Sequence, residues 1–127
     1  MPVSTGKHIL VIDDNEDIRE AVVESLEDAG YGVSAVANGD IAIRVLQASN
    51  ELPCLILLDL MMPVMDGAQF LQEMRRDPRL SAVPVVVVTA DGHATAKAAA
   101  LGTQGGLKKP IQLNELLSTV SKYLQRC

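Results

Sequence analysis

The chain is poor in aromatic side chains, cysteine and basic charge, and each shortage argues against a class of function. Among 127 residues there are two tyrosines, one phenylalanine and no tryptophan, which argues against a stacking surface for single-stranded nucleic acid or a flat aromatic cofactor. Eleven basic against sixteen acidic residues give a net charge of -5, and this balance argues against broad binding to nucleic acid. Two cysteines are too few for a disulfide scaffold.

Long apolar runs and targeting signals are also missing. No apolar run approaches the roughly eighteen residues of a membrane span. The polar residues 1–8 lack the apolar core of a signal peptide. Cys54 lies in a short apolar run, where we expect a free thiol that packs as a small core residue. Together these features predict a reducing, cytoplasmic setting without a membrane.

The apolar residues that are present alternate between two patterns. They make up 48% of the chain, enough for one packed domain over residues 1–127 with a core at about 7–125. Short apolar runs predict five strands, at residues 9–12, 32–37, 55–58, 85–88 and, more weakly, 105–108. Stretches at helical spacing predict five helices, the alanine-rich fourth one over residues 94–101. Residues 77–83, which include Pro78, are predicted to form a loop. Alternating strands and helices predict an α/β fold, with a parallel sheet and helices on both of its faces.

Polar side chains interrupt the apolar pattern where the predicted strands end. In chain order they are Asp13 and Asp14, then Asp59, then Thr89, then Lys108 and Lys109. The carboxyl ends of parallel strands meet at one edge of a sheet, where α/β folds bind ligands. Each residue alone has a plainer explanation, such as a helix N-cap or a solvated strand end. Their joint placement after four strands favours a functional site.

The chemistry of such a cluster points to phosphoryl transfer. Three neighbouring carboxylates repel one another unless a cation lies among them. Mg²⁺ prefers oxygen ligands and is commonly held by carboxylates together with water and phosphate oxygens. An aspartate beside such an ion can attack phosphorus. The developing charge is then neutralised by the metal, a lysine and a hydroxyl group. Chemistry alone leaves open which of the two adjacent lysines takes part.

Four segments of the chain resemble the receiver domain of bacterial two-component response regulators, in order and in spacing. They are Val11-Ile12-Asp13-Asp14-Asn15, residues 58–67 (Leu-Asp-Leu-Met-Met-Pro-Val-Met-Asp-Gly), Thr89-Ala90 and Lys109-Pro110. The second segment is the most specific, and the resemblance covers about residues 7–125. It implies a flavodoxin-like single domain similar to chemotaxis regulators, with strand order 2-1-3-4-5.

The resemblance also implies roles for individual residues. Asp59 would accept a phosphoryl group from a phosphohistidine, and Thr89 would hydrogen-bond a phosphoryl oxygen. Lys109, rather than Lys108, would pair with the phosphoryl group and precede a cis Lys109–Pro110 bond. The implied ligands of Mg²⁺ are Asp13, Asp14, Asp59 and the backbone carbonyl of Met61. Asp66-Gly67 would shape the turn into the third helix, where backbone freedom alone is a sufficient reason for the glycine.

The implied output is contact with another protein. The phosphodonor would be a sensor histidine kinase or a histidine phosphotransfer protein. The downstream protein would bind the fourth helix, fifth strand and fifth helix, a surface rich in small residues here. No output domain or DNA-recognition helix is expected in residues 1–127, and the expected state is a monomer or weak dimer that binds no nucleic acid. Such a domain is not an enzyme in the ordinary sense, since it catalyses only its own phosphorylation and dephosphorylation.

One position departs from the family pattern. An aromatic residue commonly lies three residues before the Lys-Pro lysine, and its rotamer couples to the threonine. This chain has Gly106 there, preceded by Gly105, and we expect the glycines to weaken the fifth strand and leave room beside it. The signal would then pass through movement of residues 91–95 and the fourth helix, or through a partner side chain that fills the gap.

Three other functions fit less well. A haloacid-dehalogenase-type phosphatase needs Asp-x-Asp after its first strand and a cap domain, whereas Asp13 and Asp14 are adjacent. A flavodoxin-like binding module needs a phosphate loop rich in serine and threonine, and aromatic residues around the flavin. A receiver fold that acts without phosphorylation stays open because of Gly106, although the acids, Thr89 and Lys109 argue against it.

Overall fold

A computed structural model describes residues 8–62, 65–90, 92–125 and 127. Its strands are β1 (His8–Ile12), β2 (Gly32–Val36), β3 (Leu55–Asp59), β4 (Val85–Thr89) and β5 (Gly105–Lys108). Its helices are α1 (Glu16–Asp28), α2 (Gly39–Ala48), α3 (Gly67–Arg75), α4 (Pro78–Ser81), α5 (Ala94–Leu101) and α6 (Leu113–Leu124). All strand pairs are parallel, in the order β2-β1-β3-β4-β5. The predicted fold class and strand order are confirmed.

The short helix α4 lies where the sequence predicted a loop. Pro78 occupies its first turn, where a missing N–H costs nothing. The Asp77 side chain caps it by accepting the N–H of Arg79 at 2.9 Å. Leu80 is buried, and the Arg79 guanidinium donates to the Ser49 carbonyl at 2.8 Å. The described residues therefore form six helices instead of five, because part of the predicted loop forms a short helix that tertiary contacts stabilise.

Alternate residues of the central strands point to opposite faces of the sheet and contribute to two separate hydrophobic cores. Ile56 and Leu58 of β3 pack on the side of α2, α3 and α5. Leu55 and Leu57 pack on the other side, against α1 and α6. Every residue of β3 and β4 is buried, which agrees with strands covered on both faces. The packing on both faces holds β3 and β4 in place, and the last residues of these strands are Asp59 and Thr89.

Cys54 forms a disulfide with Cys127, so the prediction of a free thiol is wrong. Cys54 is buried at the start of β3, as expected of a core residue. The chain returns to it only after α6, and the two Cα atoms lie 5.6 Å apart across 73 residues of sequence. Local sequence patterns carry no information about such a distant neighbour. Among the helices that the structure describes, none has the length and apolar character needed to cross a membrane.

Candidate functional site

The register of the sheet brings three strand ends together. Ile12 pairs with Leu58, so Asp13 and Asp59 follow at neighbouring positions on adjacent strands. Asp59 in turn pairs with Val88, one residue before Thr89. Carboxylate oxygens of Asp13, Asp14 and Asp59 all lie within 4.8 Å of one another. Side chains from distant parts of the sequence therefore form one acidic cluster at the carboxyl edge of the sheet.

The start of α1 holds Asp13 in place. Its Oδ1 atom accepts the N–H of Asn15 at 2.9 Å, and its carbonyl oxygen accepts a hydrogen bond from Arg19 Nη1 at 2.9 Å. Asn15 also caps α1 by accepting the N–H of Ile18. Asp13 is buried, whereas the neighbouring Asp14 is exposed. Sequence reasoning assigned no role to Asn15 or Arg19, although an asparagine directly before a helix is a recognised N-cap signal.

Lys109 is the lysine that faces the carboxylates. Its Nζ atom lies 3.2 Å from Asp13 Oδ2 and 3.4 Å from Asp59 Oδ2. Its backbone N–H donates to the Thr89 carbonyl at 2.8 Å, which ties the end of β5 to the end of β4. Lys108 is exposed. The Lys109–Pro110 peptide bond is cis, as expected.

Asp59 titrates in an unusual environment. Burial raises the pKa of Asp59 from 3.8 to about 6, and the charge of Asp13 and a hydrogen bond with Asp14 act in the same direction. The N–H of Met61, which donates to Asp59 Oδ1 at 3.1 Å, and the charge of Lys109 act against this rise. A single ammonium group among three carboxylates leaves a deficit of positive charge. An all-oxygen donor set with that deficit fits a hard divalent cation such as Mg²⁺.

The remaining predicted residues flank this cluster. Thr89 is buried at the end of β4. Met61 contacts Asp59 through its backbone N–H, and its side chain is 73% exposed. The role of its carbonyl as a metal ligand stays a prediction. Pro63 and Val64 of the most specific motif, and Asp91 of the loop after β4, lie outside the described residues.

Gly67 is required by close packing, so backbone freedom is the wrong explanation for it. Its φ lies outside the left-handed region. A Cβ atom there would lie 2.9 Å from the Cα atom of Leu60 and 2.6 Å from Leu60 Cδ2. The turn itself is as predicted, because Asp66 caps α3 and forms a reciprocal pair of hydrogen bonds with Gln69.

At Gly106 the structure leaves no room in the direction that a side chain would take, contrary to the prediction. A Cβ atom there would lie 2.8 Å from the carbonyl carbon of Ala94 and 3.3 Å from Ala94 Cβ. The first turn of α5 therefore lies directly on the backbone of β5 and blocks the position of a Cβ atom at Gly106. The small side chains of α5 permit this approach, since Ala94 and Ala98 are the residues that it buries.

An apolar cleft opens beside the acidic cluster. It has a volume of about 230 Å³ and lies between α1 and the segment that joins β5 to α6. Lys109 lines it at the end nearest the carboxylates, together with Ile18, Val22, Ile111 and Leu113. Leu113 is 56% exposed, so an apolar side chain at the edge of the cleft faces solvent.

Fold and site together define a class: a doubly wound α/β domain that carries an acidic cluster, a lysine and a threonine at the carboxyl ends of its strands. Residues 9–121 match the family model described as the response regulator receiver domain. The chain belongs to this family, whose members serve phosphorylation-based signalling in two-component systems.

Relatives and solved structures agree with this assignment. Response regulator Rre1 of Synechocystis is 39% identical over 121 residues, which cover 93% of this chain and 52% of the relative. The chain spans about half the length of such curated relatives. Chemotaxis response regulator CheY4 of Vibrio cholerae is 30% identical, with a TM-score of 0.83 over 94% of this chain and 99% of that one. The receiver domain of sensor histidine kinase PA1611 from Pseudomonas aeruginosa, solved with magnesium in its active site cleft, is 27% identical, with a TM-score of 0.84 over 95% and 99%.

Proposed function

We propose that Asp59 is the phosphoacceptor of this receiver domain and that Mg²⁺ is held by Asp13, Asp14, Asp59 and the backbone carbonyl of Met61. The observation that carries the proposal is the acidic cluster within 4.8 Å, with the Lys109 ammonium 3.4 Å from Asp59 Oδ2. A lysine this close to a buried acceptor is positioned to offset charge that arrives on that acceptor.

The protein groups act as follows. The Asp59 carboxylate attacks phosphorus, the P–N bond to the donor imidazole breaks, and an acyl phosphate forms. Lys109 balances the negative charge of the arriving phosphoryl group, and the Thr89 hydroxyl donates a hydrogen bond to one of its oxygens. Mg²⁺ held by Asp13, Asp14 and Asp59 would supply further positive charge to offset that of the phosphoryl group. Catalysis is confined to this self-phosphorylation and to the hydrolysis that reverses it.

The phosphodonor is proposed to be a histidine kinase or a histidine phosphotransfer protein in the cytoplasm. The apolar cleft supports this assignment, because Lys109 is shared between its lining and the acidic cluster. A helix that presents a phosphohistidine to Asp59 would place neighbouring apolar side chains against Ile18 and Leu113. The exposure of Leu113 is then explained by a partner that covers it.

Readout is proposed to run through α5 in place of an aromatic switch. The contact between Ala94 and Gly106 couples the first turn of α5 to β5, and β5 ends at Lys108, directly before the site lysine Lys109. Movement at Thr89 or Lys109 on phosphorylation would therefore shift α5 as a unit. The downstream partner is proposed to bind the face formed by α5, β5 and α6.

Intact-protein mass spectrometry tests the acceptor. The protein is incubated with acetyl phosphate or phosphoramidate, with and without Mg²⁺, as wild type, Asp59→Asn and the exposed control Asp40→Asn. A single phosphate gain that needs Mg²⁺, persists in the control and vanishes in Asp59→Asn supports the proposal. A gain that survives in Asp59→Asn identifies a different acceptor. No gain under any condition favours the receiver fold that acts without phosphorylation.

A further inference from the structure

We propose that the Cys54–Cys127 pair is a reversible redox latch, which ties the end of α6 to the start of β3 when oxidised and frees it when reduced. This inference does not depend on the identity of the phosphoacceptor. The pair lies at the opposite edge of the sheet from Asp13 and Asp59, at the amino-terminal ends of the strands.

The two cysteines are bonded with an ordinary backbone separation. Their Cα atoms are 5.6 Å apart, inside the range of about 4.4–6.8 Å that disulfides occupy. Cys54 is fixed on the strand side, since its N–H donates to the His8 carbonyl at 2.8 Å and only 3% of the residue is exposed. Cys127 is exposed. The bond is therefore compatible with the hydrogen bonding at the start of β3.

Small reagents have access to this pair. A cavity of about 440 Å³ opens beside it, lined by both cysteines and by Pro53, Arg79 and Tyr123. Thiol–disulfide exchange needs such access to one of the two sulfur atoms. Because Cys127 is exposed and Cys54 is buried, the Cys127 sulfur is the one that meets a reagent first.

The redox step balances with a low-molecular-weight disulfide such as oxidised glutathione. The Cys127 thiolate attacks that disulfide, a mixed disulfide forms, and one small thiol leaves. The Cys54 thiolate then attacks the Cys127 sulfur and the second small thiol leaves. The protein loses two electrons and two protons, and the reagent gains them as two thiols. A dithiol reductant reverses the change, as cytoplasmic conditions favour.

The latch acts on the last turn of α6. Tyr123 Oη donates to the Gln104 carbonyl at 3.0 Å, and Gln104 Oε1 accepts the Val85 N–H at 2.8 Å. These bonds already tie α6 to the starts of β4 and β5. The disulfide adds β3 and closes a loop of 73 residues, which restricts the unfolded chain and the fraying of α6.

The test compares wild type, Cys127→Ser and Cys54→Ser in glutathione buffers of graded ratio. Thiol titration and intact mass report the bond, and we expect wild type to lose two thiols and about 2 Da without forming a dimer. Oxidised wild type should melt about 10 °C above reduced wild type, with slower hydrogen exchange in residues 120–125. Cys127→Ser should melt at the same temperature in both buffers.

Other outcomes overturn the latch. Two free thiols in oxidised buffer would show that the pair does not close, and a disulfide-linked dimer would show that Cys127 pairs between chains. Equal melting temperatures and equal exchange in α6 would show that the bond constrains nothing. A change greater than about twofold in phosphate gain from acetyl phosphate would contradict the separation of the latch from the acidic cluster. If Cys54→Ser fails to fold, Cys127→Ser alone decides the outcome, because its side chain is exposed.

Discussion

The carbonyl group of Ala94 lies so close to Gly106 that a Cβ atom on Gly106 would be 2.8 Å from the Ala94 carbonyl carbon. The position that commonly carries an aromatic residue in receiver domains is thus covered by the backbone of α5. A side chain at position 106 would have to lift the helix from the sheet. Gly106 in place of the usual aromatic residue is therefore what allows α5 to lie so close to β5.

Gly106→Ala should therefore destabilise the protein, by about 1–3 kcal/mol, because the methyl group must displace the first turn of α5. Gly105→Ala is the matched control, since its Cβ would lie 3.5 Å from Tyr123 Oη, an ordinary contact distance. Urea unfolding and hydrogen exchange of residues 94–101 measure both effects. Equal stability and equal exchange in the two variants would contradict the close contact.

The contact between α5 and β5 also leads to a prediction about how phosphorylation is transmitted to a partner. If α5 carries the signal, phosphorylation of wild type should change amide exchange in residues 94–101, and Gly106→Tyr should alter that response. The measurement is hydrogen exchange with and without acetyl phosphate in the presence of Mg²⁺. A response confined to residues near Asp59, with α5 unchanged, would rule out this route.

Removal of the positive charge of Lys109 should slow phosphate gain. Lys109→Met is expected to lower the rate at saturating acetyl phosphate by at least about tenfold, because the charge that offsets the arriving phosphoryl group is lost. Lys108→Met, at the exposed neighbour, should leave the rate within about twofold of wild type. The time course of the phosphorylated mass reports both rates. A Lys108→Met protein that is the slower of the two would reverse the assignment.

Asp59→Asn should stabilise the metal-free protein at neutral pH. The pKa of Asp59 is about 6 in the folded protein and 3.8 as its ordinary value. The folded state therefore binds this proton more tightly than the unfolded chain does. Stability from this group is complete below pH 3.8 and is lost as the pH rises through about 6. At pH 7.5 the asparagine variant should be more stable by about 1–3 kcal/mol.

Urea unfolding in chelator between pH 4 and pH 8 measures this difference. The gap between Asp59→Asn and wild type should be smallest at the acidic end, because Asp59 is protonated in the folded state there and the pH approaches its unfolded pKa of 3.8. A gap that is constant with pH would trace the effect to packing, and a less stable variant at pH 7.5 would contradict the raised pKa.

Addition of Mg²⁺ should restore much of the stability that wild type lacks relative to Asp59→Asn at neutral pH. A cation that binds only the folded protein stabilises it by about 2.7 kcal/mol at a hundred times its dissociation constant. Wild type and Asp40→Asn should therefore melt higher as Mg²⁺ is added, and Asp13→Asn should respond weakly because it lacks one carboxylate of the cluster. The measurement is thermal unfolding across a Mg²⁺ titration. An undiminished response in Asp13→Asn would remove that residue from the ligand set.

Periodicity and strand-end chemistry were sufficient for the fold class and for the cluster. The strands β3 and β4 are continuous apolar runs, and the residues that end them, Asp59 and Thr89, are polar. A parallel sheet then brings such residues to one edge whatever their separation in sequence. The strand order came from family resemblance, since alternation alone permits other orders.

The details that sequence reasoning missed depend on contacts between distant segments. Residues 77–83 were predicted to form a loop, yet Pro78 begins α4 because Asp77 caps the turn. Cys127 finds Cys54 only once α6 has packed on the sheet. The glycine at position 106 was expected to leave space, and only the distance of α5 from the sheet shows that the space is filled. Local patterns specify elements, not the distances between them.

The identity of the phosphorylated residue is tested most directly by chemical mapping. The protein phosphorylated by acetyl phosphate with Mg²⁺ is reduced with borohydride, which converts an aspartyl phosphate to homoserine, and its peptides are then sequenced by mass spectrometry. The account predicts homoserine at position 59 in wild type and none in a sample that received no phosphodonor. Homoserine at position 13 or 14, or an unmodified Asp59 in protein that carries the added phosphate, would contradict it.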